Sequence, residues 1–183
     1  IDLLPKDDLF AKAEFDNSKN IILFVQHPDT LEELSIPEQL QSSLDALDSF
    51  KSNILIIGAN ADAGGQVFNE TLKKFADQKE HCTFYISISH QEYLSWLSIS
   101  DVLVGNSSSG IIEAASFNLP VVNIGNRQKG RLQSGNVRDV SYVSSAIGTA
   151  IVESLNSNDT YKNLYGDGEA SERITAILKE ISL

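Results

Sequence analysis

Gly105-Asn106-Ser107-Ser108-Ser109-Gly110 follows a short apolar run and leads into a stretch of helical spacing that begins near Ile111. Small residues at a strand-to-helix turn let backbone N–H groups approach a ligand closely, and a helix start favours negative charge. Serine hydroxyls add donors, and each charge-assisted hydrogen bond to a phosphate oxygen contributes about 1.5–3 kcal/mol. The same cluster would also serve simply as a helix cap, and both readings stand at this point. The turn lacks the Gly-Lys-Ser/Thr ending of a Walker loop and the GxGxxG spacing of a dinucleotide fingerprint.

Three further groups belong with that turn. Glu113 falls in the first turn of the expected helix, one position beyond the capping-box partner of a Ser109 cap. There a carboxylate favours the macrodipole, yet it would repel a phosphate unless it accepts hydrogen bonds from a sugar diol. His27 ends the run Asn20-Ile21-Ile22-Leu23-Phe24-Val25-Gln26 and is the one imidazole placed to meet a phosphate or substrate. Gly125-Asn126-Arg127-Gln128-Lys129-Gly130-Arg131 puts three of the fourteen Lys and Arg residues within five positions. Such a cluster is either a solvated surface or a device that focuses an anion into a crevice. His81 and His90 read as structural, His90 as a helix-entry residue before Gln91-Glu92-Tyr93. No metal-ligand constellation accompanies these groups, and no Ser-His-Asp order suggests acyl transfer.

For these groups to meet, the chain must fold a particular way. Apolar runs recur at Asn20–Gln26, Asn53–Gly58, Cys82–Ile86, Asp101–Gly105 and Pro120–Gly125, with a weaker one at Val137–Val140. Short runs rich in β-branched residues and apolar on both faces are what a buried parallel sheet requires. Amphipathic stretches lie between them. Pro37 suits a first helical turn, with Leu40, Leu44 and Leu47 on one face, and Val67, Leu72 and Phe75 serve the next stretch. Tyr93, Leu94 and Leu97 mark a helix from His90 to Leu97, and Pro120 limits the one that opens at Ile111. Ala146 to Leu155 and Ala170 to Ile181 supply the last two, and Pro5 with Lys6-Asp7-Asp8 opens a short leading helix.

Alternation of this kind predicts a single α/β domain over residues 1–183, a doubly wound and mainly parallel sheet of about six strands with helices on both faces. The commonest order for six such strands is 3-2-1-4-5-6, whose crevice opens beside the carboxyl ends of strands 1 and 4. That order would make the residues after Gln26 and after Val104 neighbours.

Composition narrows the partners. Among 183 residues, 42% are hydrophobic and 21% charged, which is ordinary for a globular chain. Fourteen Lys and Arg against twenty-five Asp and Glu leave a net charge of −11, so neither nucleic acid nor an anionic membrane surface is an expected partner. No apolar run approaches the ~18 residues of a membrane span, and the start does not read as a signal peptide. Cys82 is the only cysteine, which is compatible with a reducing, cytoplasmic compartment. The sequence contains no Met and begins at Ile1, as a piece of a longer protein would.

The joint motif Gly105-Asn106-Ser107-Ser108-Ser109-Gly110-Ile111-Ile112-Glu113, followed by Pro120-Val121-Val122-Asn123-Ile124-Gly125-Asn126-Arg127-Gln128-Lys129-Gly130-Arg131, resembles the signature of hydrolysing UDP-N-acetylglucosamine 2-epimerases. Gln26-His27-Pro28, Asn60-Ala61-Asp62-Ala63-Gly64 and Tyr165-Gly166-Asp167-Gly168 are similar to further family segments in the same order. The Arg-Gln-x-Gly-Arg loop favours the hydrolysing branch over the non-hydrolysing one. The resemblance implies the carboxyl-terminal Rossmann-like half of a two-domain GT-B enzyme, with the amino-terminal domain and most acid and base carboxylates outside this chain. It further implies that Ser107 and Ser108 hold the diphosphate, Glu113 the ribose hydroxyls and His27 the phosphate side of the substrate, His27 being the one catalytic candidate. Asn60 and Arg127 would line the same cleft, and Ser87 would lie on the uridine side.

The implied reaction eliminates UDP from UDP-N-acetylglucosamine and hydrates the product to N-acetylmannosamine, as in sialic-acid and capsule synthesis. It needs no cofactor and no metal. The implied partners are UDP or a UDP-sugar, the absent amino-terminal domain and, at full length, further copies of the protein in a homo-oligomer. This fragment alone would be inactive. A GT-B glycosyltransferase fragment and a non-catalytic nucleotide-binding domain are the alternatives, and neither the sugar nor the choice between UDP and GDP is read by any visible residue.

Overall fold

A computed structural model describes residues 2–59 and 64–181. Six parallel strands form one sheet: β1 (Ile21–Val25), β2 (Asn53–Ile57), β3 (Cys82–Tyr85), β4 (Val102–Gly105), β5 (Val121–Ile124) and β6 (Val137–Val140). Their order is β3-β2-β1-β4-β5-β6, as the alternation predicts. β1, β2, β4 and β5 are buried throughout their length, the reason they read as unbroken apolar runs, whereas the edge strand β6 is only partly covered.

Helices cover both faces. On one side α2 (Ile36–Leu47), α3 (Gly65–Ala76) and α6 (Ser144–Leu155) pack Leu40, Leu44, Leu47, Phe68, Leu72, Ile147 and Ile151 against Ile22, Phe24, Ile54 and Ile56. On the other, α1 (Lys6–Ala13) and α4 (His90–Ile99) set Leu9, Phe10, Trp96 and Leu97 against Ile21, Leu23, Val25 and Leu55. Alternate strand residues therefore feed alternate cores. In α3 the expectation for Val67 is corrected: Val67 is 58% exposed, and its neighbour Phe68 enters the core with Leu72. α7 (Ala170–Glu180) has no buried residue.

The register places the ends of β1 and β4 side by side, Val25 opposite Gly105. Gly105 adopts φ +135°, and a Cβ there would overlap the Val25 carbonyl, so only glycine permits this approach. The chain leaving β1 is fixed from below. The buried Gln26 side chain accepts at Oε1 from Ser43 Oγ at 2.6 Å, and Gln39 both donates to the Asp29 carbonyl at 2.8 Å and accepts from the Asp29 N–H at 3.0 Å. His27 thus stands on a braced connection.

Candidate functional site

After Gly105 the chain makes a tighter turn than helical spacing suggests. α5 spans only Ser109–Ile112 and gives way to a 3-10 turn over Ala114–Phe117, with Asn118 left-handed at its end. The helix expected between Ile111 and Pro120 is therefore replaced by one α turn and a 3-10 turn, and little macrodipole is available. Leu119-Pro120 must return at once to β5, which leaves no length for more. Glu113 is corrected with it: it stands at the junction of the two turns, not in a first helical turn.

The capping reading of the serines also fails at Ser108, which occupies the N-cap position but makes no side-chain cap bond. Backbone bonding in the turn starts with the Gly110 N–H to the Ser107 carbonyl and the Ile111 and Ile112 N–H groups to the Ser108 carbonyl. Among the described residues no protein acceptor meets the N–H of Ser107 or Ser108. Both residues are partly exposed.

Asn106, fully buried, joins this turn to its surroundings. Its Oδ1 accepts from the His27 N–H at 2.7 Å and its Nδ2 donates to the His27 carbonyl at 2.9 Å. Its own carbonyl accepts from Arg127 at 3.1 Å and from Gln128 Nε2 at 2.7 Å. His27, the serine turn and Arg127 are thereby brought together from three strand ends. Of the basic loop only Arg127 turns inward; Lys129 and Arg131 are exposed. The loop's far side is held by the late motif, where the Tyr165 hydroxyl donates to the Leu132 carbonyl at 2.8 Å.

The remaining candidates are distributed differently. Glu113 lies toward α4, with its carboxylate 3.4 Å from His90 Nε2. Ser87 is exposed two residues beyond β3 and lines an apolar groove with Ala59, Val67, Phe84 and Ile86. Among the described residues no hydrogen bond ties it to the serine turn. Asn60 lies outside the described residues, as does the rest of its motif up to Ala63.

Several groups at the site escape a reading by sequence. Asn106 looks like one more turn residue, Gln128 like part of a charged loop, and Tyr93 like core. Tyr93 instead brings its hydroxyl to Ser109 Oγ. Burial pushes the Tyr93 phenol up to about 12, against the opposing pull of the Ser109 and Ser107 hydroxyls. Burial likewise drives the Tyr142 phenol up to about 12, and its ring packs where a side chain on Gly125 would go. A helix-period pattern marks Tyr93 only as inward-facing, and nothing local says that its tip meets a polar neighbour. Among the described residues no group of His, Cys, Asp and Glu could hold a metal ion.

These features define a doubly wound α/β domain of Rossmann type whose switch point brings together the serine turn, His27 and Arg127. The family described as UDP-N-acetylglucosamine 2-epimerase matches residues 4–179, and the chain belongs to that family. A relative from Legionella pneumophila named UDP-N,N'-diacetylbacillosamine 2-epimerase (hydrolyzing) is 42% identical over 179 residues, covering 97% of this chain and 47% of the relative. The Campylobacter jejuni GDP/UDP-N,N'-diacetylbacillosamine 2-epimerase (hydrolyzing) is 37% identical over 141 residues, 76% of this chain and 37% of the relative. The chain thus spans half or less of the length of these relatives. In fold it matches the UDP-GlcNAc 2-epimerase of Methanocaldococcus jannaschii, solved with UDP-GlcNAc and UDP, at a TM-score of 0.71 and 15% identity, covering 95% of this chain and 49% of that one. The architecture is accordingly one Rossmann-like domain of the GT-B type.

Proposed function

We propose that this chain is the nucleotide-binding half of a hydrolysing UDP-N-acetylglucosamine 2-epimerase. The observation that carries the reading is the Asn106 bridge, which sets His27 and Arg127 around a turn of partly exposed serines whose amides meet no acceptor among the described residues. In this reading Ser107 and Ser108 donate to the diphosphate, and Arg127 and His27 meet its negative charge. Glu113 accepts from the ribose hydroxyls, Asn60 lines the cleft, and Ser87 lies on the uridine side.

In the first step a base removes the C2 proton while the C1–O bond breaks, and that electron pair leaves with UDP. The product is 2-acetamidoglucal. Water then adds, its hydroxyl to C1 and a proton to C2 from the opposite face, giving N-acetylmannosamine. Donors held in a turn stabilise the leaving diphosphate because they need little reorganisation as charge grows. The base and acid belong to a further amino-terminal domain that completes the cleft, in keeping with a chain spanning 47% of its Legionella relative. At full length the protein works as a cytoplasmic homo-oligomer without a cofactor.

A second reading concerns the sugar alone. Two relatives are named for diacetylbacillosamine nucleotides, which favours a diacetamido sugar as the substrate. Calorimetry on the chain tests the shared core of both readings: UDP binds with measurable heat, and no heat at millimolar UDP overturns them. Product analysis of the full-length protein then separates N-acetylmannosamine from a diacetamido product.

A further inference from the structure

Three hydroxyls meet behind the serine turn. Tyr93, on α4, reaches Ser109 Oγ, and Ser109 Oγ lies 3.0 Å from Ser107 Oγ. The Ser109 N–H also points at Ser107 Oγ, at 3.4 Å. Ser109 is only 6% exposed, whereas Ser107 is partly exposed. We infer that Tyr93 is a positioning residue which, through Ser109, turns the Ser107 hydroxyl into an outward donor for a phosphate oxygen. The inference rests on the proposed placement of a diphosphate at Ser107.

Proton counting gives the direction. A hydroxyl carries one proton and two lone pairs. A phenol is more acidic than an alcohol, so Tyr93 donates and Ser109 accepts. Ser109 then gives its own proton to Ser107, whose second lone pair takes the Ser109 N–H. With both lone pairs engaged from inside, the Ser107 oxygen is held in place and its own proton is the one left over for a ligand in the crevice. Such a chain also polarises its members, which strengthens the terminal donor. Without the phenol, the Ser109 proton is no longer polarised toward Ser107, and the Ser107 hydroxyl loses its fixed orientation.

Calorimetry with UDP and with uridine on wild type, Tyr93→Phe, Ser107→Ala and the double variant tests this. The expected result is UDP binding about tenfold weaker in Tyr93→Phe, with uridine binding unchanged. In the Ser107→Ala background the Tyr93→Phe change should have no further effect, since the hydroxyl it steers is gone. Equal UDP affinity in wild type and Tyr93→Phe overturns the inference. So does an equal loss for UDP and uridine, or full additivity, because a merely structural phenol would act on both ligands and in both backgrounds. Should Tyr93→Phe not fold, Ser109→Ala carries the same expectation and the same refutation. Wild type that binds no UDP overturns the proposed function instead, and this inference falls with it.

Discussion

Asn106 engages both ends of its side-chain amide and both of its backbone polar groups: its N–H donates to the Val25 carbonyl at 3.2 Å, its amide clasps the His27 backbone, and its carbonyl takes Arg127 and Gln128. In a fully buried residue each of these bonds is costly to leave unmade. Asn106→Asp keeps the shape but sets a carboxylate oxygen against the His27 carbonyl, and urea unfolding should show a loss of about 2–4 kcal/mol. The hydroxyls next to it behave oppositely. Ser107→Ala with Ser108→Ala should weaken UDP binding by about 1.5–3 kcal/mol per lost bond, while thermal stability stays near wild type. A collapse of thermal stability would instead identify the serines as structural. In the full-length enzyme Arg127→Ala should reduce turnover, since it removes the one basic side chain that reaches Asn106; unchanged kinetics would return this loop to solvated surface.

The elements differ in how openly the sequence announces them. β1, β2, β4 and β5 are buried on both faces, so hydrophobic runs identify them, and glycine at the end of β4 marks where two strands touch. Gly105→Ala should destabilise by roughly 3 kcal/mol or more, because the left-handed backbone and the Val25 carbonyl both resist a methyl group. The turn after β4 is less legible. Its residues have helical spacing, but the distance back to β5 is set by the sheet, and the helix is cut to one turn. α7 depends on a contact that sequence spacing does not reveal. Arg173 donates to Asp167 at 2.7 and 2.8 Å, and this pairing holds the Asp167 carboxyl down to about 2 from an ordinary 3.8. A carboxyl that binds its proton less readily in the folded chain supports it above pH 3.8 and loses that support as pH falls toward 2. Carboxyl titration by NMR should therefore show Asp167 among the last to protonate, and Arg173→Ala should move it back toward 3.8.

For the whole molecule, the sheet provides the platform, and on the proposed reading a further domain supplies the acid and base. The switch-point crevice has donors and positive charge in a chain of net charge −11, which suits recognition of a leaving diphosphate. The chain spans 47% of its Legionella relative, and Ile174, Ile177 and Leu178 of α7 remain 57–62% exposed. On the two-domain proposal, this chain should bind UDP yet turn over no UDP-N-acetylglucosamine, measured by release of UDP. Turnover by the chain alone would refute that division of labour.

The strand order, the two-faced core and the meeting of His27 with the serine turn were already determined by the sequence, because burial on both sides of a parallel sheet leaves a mark in every strand and the common winding brings β1 beside β4. The partners of the polar side chains were decided only by tertiary structure. Asn106 clasping His27, Tyr93 reaching Ser109 and Glu113 turning to His90 are contacts between distant segments, and a hydrogen bond depends on distance and angle, which residue type and periodicity do not encode.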